Sequence, residues 1–373
     1  WVYGAVDPSS GTATMLETAR ALGQLLKEGF RPRRTIVLGN WDAEEYTLTG
    51  STEWGEQFED DLRKNAVVCL NVDASTSGQD FSVSAVPSLI PALIEATQAV
   101  RDPATGRSVY ERWKEQKAAR SVRSYAVPGS GAAPVPFGLL GGGSDYMVFL
   151  QHVGVPALDM IFDGPYGVYH SLYDDFRWME RFGDPGFRYH AAMSRLWGLL
   201  ALRFANADLL PLDYSIYAGE IAAYLEGLEK IAPADFFAET IRPLTEKSRE
   251  WQRAAGKATR ALEARRRGDA AALDAPRDER AQAAVAANFN AALMAQERAL
   301  LDDRGIPGRP WFRHLIYAPL PSYEAETLPG LREALEAHDF ARARQQAGAL
   351  ADALQRAIRA LPPPRSPGGE QSD

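Results

Sequence analysis

Apolar and polar positions follow two regimes along this chain. Up to about Leu209, short apolar runs alternate with helical patterns. Thr35–Leu38 is apolar and β-branched with no charge, and the runs Ala66–Asp73 and Val155–Phe162 are similar. Runs this short and this apolar read as strands buried on both faces. Phe81–Val86 adds a further short strand. Between them, Met15, Leu16, Ala19, Leu22, Leu25 and Leu26 recur at helical spacing, Lys27-Glu28-Gly29 ends that helix, and Leu89–Val100 reads as another. Strands alternating with helices predict an α/β fold with an open mixed, mainly parallel sheet flanked by helices. Beyond Leu209 the chain is rich in Ala, Glu, Arg and Leu, with amphipathic helical periods over roughly 214–230, 236–266, 276–302 and 330–360. That half predicts an antiparallel all-α helical bundle.

The expected division is 1–208, 209–362 and a disordered tail, 363–373. Residues 101–136 have weak periodicity and read as a long functional loop. Gly305–Glu326, with four prolines, reads as an irregular excursion that reaches toward a neighbouring site. Arg265-Arg266-Arg267-Gly268 reads as a solvated charge run.

Composition narrows the function. Among 373 residues, 46% are hydrophobic and 24% charged, an ordinary globular balance. A net charge of −8 gives no reason to expect nucleic acid. No apolar run reaches the ~20 residues of a membrane span. The single cysteine, Cys69, lies in an apolar run and reads as core. The chain opens on Trp1-Val-Tyr-Gly-Ala-Val-Asp, as if inside a domain, so the expectation is that further residues precede it.

The chemistry gathers where strands end. Asp42, Glu44 and Glu45 follow the Thr35–Leu38 strand at once, and ligands of open α/β sheets bind at that edge. A buried carboxylate there must be paired, protonated or metal-bound, while a solvated acidic loop is the bland alternative. Asp73 repeats the pattern, with a turn-forming role as its alternative. Asp7 precedes a helix start and could simply cap it. Ser51 or Thr52 is the expected cap of a second helix. Of five histidines, His170 follows a strand and is the ligand candidate, whereas His190 reads as helix surface or core, and His152, His314 and His338 stand near no acidic cluster in sequence. Carboxylates with an imidazole suit zinc, and a shared carboxylate beside a free one suits a two-metal hydrolase. Gly141-Gly-Gly-Ser-Asp-Tyr146 lacks the spacing of a phosphate loop, so its glycines are expected to let backbone approach a substrate. A Ser-His-Asp reading is weaker, because no Gly-x-Ser-x-Gly elbow follows a strand.

Longer motifs then carry a resemblance. Trp-Val-Tyr-Gly-Ala-Val-Asp-Pro at 1–8, Arg-Pro-Arg-Arg-Thr-Ile at 31–36, Trp-Asp-Ala-Glu-Glu at 41–45 and Gly-Ser-Thr-Glu-Trp at 50–54 resemble the glutamate carboxypeptidase II and transferrin-receptor-like family. So do Asn-Val-Asp at 71–73, Tyr-His-Ser at 169–171 and Arg-His-Leu-Ile-Tyr-Ala-Pro at 313–319. The match runs from residue 1 to about 360. It implies a zinc exopeptidase-like catalytic domain and, over 209–360, a helical dimerisation domain. It further implies that Asp7 bridges two Zn2+ ions, that Glu45 and His170 complete one site, and that Asp73 belongs to the other. Glu44 would be the general base for a metal-activated water, and Tyr169 would bond the tetrahedral intermediate. Glu53 and Glu56 match positions of a structural Ca2+. Gly143, Ser144, Tyr166 and Tyr323 match substrate-binding positions.

The implied partners are a small peptide substrate and a second copy of the chain, with an extracellular, periplasmic or membrane-anchored setting. This sequence departs from the family in three places. The second-site histidine is expected four residues before Trp1. Val83, Ala85 and the segment Ala157-Leu-Asp-Met160 stand where an arginine-bearing patch for acidic substrates is expected. Ser322 replaces a lysine that binds the substrate's terminal carboxylate. The competing reading is a non-catalytic receptor-like or scaffolding homologue, or an inactive fragment of an enzyme. Retention of Glu44, Glu45, Asp73 and His170 argues for the enzyme.

Overall fold

Seven short strands are found among the described residues: β1 (Cys69–Asn71), β2 (Asp80–Ala85), β3 (Arg123–Tyr125), β4 (Val135–Phe137), β5 (Ala157–Asp163), β6 (Tyr317–Pro319) and β7 (Ala325–Thr327). A computed structural model describes residues 2–116, 123–125, 135–266 and 279–361. The expected tail and part of the 101–136 loop, as well as the Arg267 end of the charge run, lie outside them.

The sheet beneath the candidate site has the order β1-β5-β2. It is mixed. β1 runs parallel to β5 with Asn71 opposite Asp159, and β2 runs antiparallel with Ser84 opposite the same residue. Because strand side chains alternate faces, Leu158, Met160 and Phe162 enter the core while Asp159 and Ile161 stay partly exposed. The same alternation orders β2. Val83 and Ala85 point into the core, and Ser82 and Ser84 occupy the open face.

Thr35–Leu38 is not a strand. Among the described residues it pairs with no ladder, and Val37 and Leu38 are exposed. It is extended along a cleft of about 1720 Å³ whose lining also includes Val68, Cys69 and Leu70, the last two from β1. Its β-branched composition favours extension, but it shares the cleft with the edge strand β1 without pairing to it. Part of the 101–136 stretch is ordered structure as well, since α5 (Val109–Trp113), β3 and β4 fall within it.

Before α5 come α1 (Ser9–Lys27), α2 (Thr49–Gln57), α3 (Glu59–Asn65) and α4 (Ile90–Ala99); after it come α6 (Phe176–Trp178) and α7 (Arg188–Asn206). α1 turns a small, polar face inward. Ser10, Gly11, Thr14 and Thr18 are buried, whereas Leu16 and Leu26 are exposed. Asp7 makes no cap to this helix. α2 starts earlier than expected, with Leu48 in the left-handed region at its cap position, three residues before the nearer expected cap, and Ser51 donates to the Leu48 carbonyl instead of capping.

The helical half contains α8 (Tyr214–Gly227), α9 (Ala234–Phe236), α10 (Arg242–Arg266), α11 (Glu279–Ala299), α12 (Pro329–Glu336) and α13 (Phe340–Ala360). The expected 330–360 helix is two helices. His338 takes a positive φ between them and Asp339 caps α13 through the Arg342 amide. Trp251 of α10 donates to Gln296 of α11 at 2.8 Å, and Gln296 donates to the Ala357 carbonyl of α13 at 3.2 Å. One hydrophobic cluster runs continuously from Val72 to Leu361, so the sheet and the bundle share a core. No helix among the described residues is long and apolar enough to cross a membrane.

Candidate metal centre and active site

Two segments far apart in sequence are tied together at the amino end. The Val6 and Asp7 amides donate to the Asp174 carboxylate at 2.9 and 3.3 Å, and Tyr166 donates its hydroxyl to the same group at 2.7 Å. Asp174 is almost fully buried. It therefore fixes Asp7 beside the loop that carries His170. Sequence reasoning passed over Asp174, since its only local signal is an acid four residues after His170.

α1 brings Asp7 to Asp73. Ser10 Oγ accepts the Ser75 amide at 2.8 Å, Thr14 donates to Ser75 Oγ at 2.8 Å, and all three side chains are buried. Gly11 lies so close that an added Cβ would sit 1.8 Å from the Asp73 carbonyl oxygen. No other residue fits there.

Trp41 seats the acidic turn. Its ring packs 5.2 Å from Trp54 and 6.0 Å from Phe149. Past it the chain knots, with the Leu48 amide donating to the Glu44 carbonyl at 2.7 Å and the Gly50 amide donating to the Asp42 carbonyl at 3.1 Å. Ala43, Thr47 and Leu48 all take φ near +60°, as does His170 at 53°. Non-glycine residues held in that region cluster at functional sites.

The ligand candidates meet. His170 Nε2 lies 2.7 Å from Glu45 Oε1 and 3.2 Å from Asp7 Oδ2. One donor atom from each of the three falls within 4.8 Å of the others, the only such group among the described residues. Asp73 stands outside this triad but is close enough that its charge raises the pKa of Asp7. Glu44 remains apart from the triad on the cleft wall. Burial first, then the charges of Asp73 and Asp145, push Glu44 up to about 8. Burial and Asp73 push Asp7 up to about 6. Burial also raises Asp73, against a hydrogen bond from Ser144. So many carboxylates around one imidazole are unfavourable without a counter-charge, and a divalent cation supplies one. The donor set, two carboxylates and an imidazole nitrogen, fits zinc.

Tyr169 stacks on the His170 ring at 3.7 Å and is hydrogen-bonded to Tyr323. Tyr323 arrives on the proline-rich excursion. That segment is held by the Arg313 and His314 amides, both donating to the Gln151 carbonyl, while Gln151 Nε2 donates to the Gly141 carbonyl at 2.7 Å. The glycines of 141–143 thus admit backbone of this same chain. An added Cβ at Gly141 would sit 2.1 Å from the Tyr323 carbonyl oxygen, and the nearest atoms to one at Gly143 include the Tyr323 side chain. Ser144 hydrogen-bonds Asp73 and accepts from Asn71, and Tyr166 serves Asp174.

Glu53 and Glu56 do not join a ligand group. Both are exposed, and Glu56 accepts the Trp311 indole N–H at 2.5 Å. Three of the other four histidines have acidic partners that their sequence neighbours do not reveal. His152 lies 3.4 Å from Glu59, His190 2.8 Å from Asp184, and His314 3.1 Å from Glu297.

This architecture and its triad define a metallopeptidase-type fold joined to a helical bundle. Residues 1–181 match the model of peptidase family M28, and residues 239–362 match that of the transferrin receptor-like dimerisation domain. The chain is similar to the probable glutamate carboxypeptidase LAMP1 of Arabidopsis thaliana, at 41% identity over 90% of the chain and 45% of that relative. It is similar to a probable glutamate carboxypeptidase of Arthroderma benhamiae, at 34% over 92% and 45%. The aminopeptidase NAALADL1 of Rattus norvegicus matches at 33% over the same two shares. The chain therefore spans a little under half the length of these relatives.

Proposed function

We propose that the protein is a dizinc exopeptidase that hydrolyses small peptides. The observation that supports this most is the convergence of Asp7, Glu45 and His170 within 4.8 Å, with Glu44 left out of it. In this reading Asp7, Glu45 and His170 would hold zinc, with Asp73 as a further ligand. Zinc, when bound, polarises a carbonyl and lowers the pKa of water to about 7.

Each remaining role falls to the chain itself. Glu44, adjacent to a ligand but uncoordinated, takes the proton of the attacking water and delivers it to the leaving amine. Tyr169, steadied by its ring stack on His170 and its bond to Tyr323, donates to the oxygen that gains charge. Gly143 and Tyr323 face the substrate residue on the carboxyl side of the cleaved bond. The helical half, similar over 239–362 to transferrin receptor-like dimerisation domains, mediates a two-fold homodimer.

The test pairs Glu44→Gln with Glu45→Gln in full-length protein and reads zinc content by elemental analysis and dipeptide hydrolysis. Glu44→Gln retains zinc while turnover falls at least ~100-fold. Glu45→Gln loses zinc. Full activity in Glu44→Gln, or wild-type protein that holds no zinc after dialysis, sinks the reading.

A further inference from the structure

The open face of the sheet carries one polar row across its three strands. Asn71, Asp159 and Ser84 stand in register there, beside the loop that ends at Asp73. Asn71 Nδ2 donates to Asp159 Oδ1 at 3.0 Å and to Ser144 Oγ at 2.9 Å. Ser144 in turn bonds the Asp73 carboxylate, and the Asp73 amide donates to Asp159. Asp159 is thus a carboxylate anchored by neutral amides within one hydrogen-bonded link of a candidate metal ligand. Among the described residues no lysine, arginine or histidine forms an ion pair with it.

A second, separate observation points the same way. Asp145 is only 8% exposed, and its Oδ1 is buried without a hydrogen-bond partner. Asp145 lines the cleft together with Glu44 and Asp73. Both Asp145 and Asp159 lie near enough to Cys69 of β1 for their charges, after burial, to raise its thiol pKa. Neutral donors hold an anion in place but leave its field uncancelled, and a half-buried field of that kind selects the sign of what approaches.

Resting on the peptidase reading, we propose that Asp159 sets specificity for the residue on the amino side of the cleaved bond. It favours a cationic side chain there, lysine or arginine, and disfavours an acidic one. Tyr323 and Gly143 take the carboxyl side, which leaves the sheet face for the other residue. The rejection of acids is as much a part of this as the attraction of cations.

The experiment measures kcat/KM of the full-length, zinc-loaded protein for Lys-Ala, norleucine-Ala and Glu-Ala, in wild type and Asp159→Asn. Norleucine matches the length of lysine without its charge. Wild type prefers Lys-Ala over norleucine-Ala by roughly tenfold and Glu-Ala least, as one partly screened charge pair predicts. Asp159→Asn brings the Lys-to-norleucine ratio close to one. A wild-type ratio at or below one overturns the proposal. So does a ratio unchanged in the variant, including the case where both substrates fall in proportion, because Asp159 then only braces Asp73. Calorimetry with free lysine and free norleucine separates this from the peptidase reading. If no dipeptide is cleaved, tighter binding of lysine that disappears in Asp159→Asn still upholds the charge selection, and equal binding overturns it.

Discussion

The Tyr323 carbonyl accepts the Gly142 amide at 3.2 Å, which joins a loop from the last sixth of the chain to the glycine turn beside Asp73. Gly141 has no room for a methyl group against the same carbonyl. Gly141→Ala is expected to displace the 320–324 loop, raise KM for peptides and leave zinc content near that of wild type. Steady-state kinetics with elemental analysis check this. Loss of zinc with an unchanged KM contradicts it.

Gly11→Ala acts on the other side of the site. Its new methyl group meets the Asp73 carbonyl oxygen head on. Overpacking of this kind costs about 1–3 kcal/mol. The expected outcome is a lower urea midpoint together with weaker zinc retention, because the Asp73 loop must move. A variant as stable as wild type shows that α1 and the loop are free to separate.

Acidity stabilises the metal-free protein in a defined window. Burial, Asp73 and Asp145 raise Glu44 from 4.5 to about 8, and burial with Asp73 raises Asp7 to about 6. A carboxyl with a raised folded pKa keeps its proton more firmly in the native state. It therefore favours folding fully below its unfolded value and loses that contribution as pH climbs through the folded one. In chelator, stability falls from about pH 5 to about pH 8, and Glu44→Gln flattens the upper part of that fall. Discounted for the water that reaches a half-buried group, the Glu44 share is on the order of 1 kcal/mol. Urea unfolding at several pH values measures it, and equal slopes in both proteins rule it out.

Glu297 and His314 meet at 3.1 Å with neither side chain exposed. His314 Nδ1 accepts the Ile316 and Tyr317 amides, both at 3.2 Å, so its Nε2–H donates to Glu297. Glu297→Ala leaves the imidazole N–H without its acceptor and is expected to cost about 1–3 kcal/mol, whereas Glu297→Leu combined with His314→Leu recovers part of that loss. Chemical denaturation of the single and double variants decides it. A double variant no better than the single one shows that the ring's backbone bonds matter more than the pair.

Assembly gives a fifth prediction. Light scattering at micromolar concentration is expected to report a dimer, and a monomer alone contradicts it.

The sequence made much of the site legible through position. Glu45 and His170 stand where short apolar runs give way to loops, and the structure brings both to Asp7. It made less of the architecture legible. Thr35–Leu38 has the composition of a buried strand, yet pairing is a property of neighbours, and among the described residues it pairs with none. α1 is the helix its spacing predicts, but which face turns inward is set by tight packing against the Asp73 loop, which demands serine, threonine and glycine. Asp174, Asp145 and Asp159 carried no local pattern. Their meaning comes from partners up to 168 residues away.

That last separation has a consequence during synthesis. Val6 and Asp7 are held by Asp174. At about 5–20 residues per second, the ribosome takes on the order of ten to thirty seconds to deliver the anchor after the residues it anchors. For that interval the amino-terminal acids have no fixed place, and any cation they meet binds a loose strand of chain, not a site. Order at the centre arrives late and from the far side, with residues made early waiting on residues made long after them.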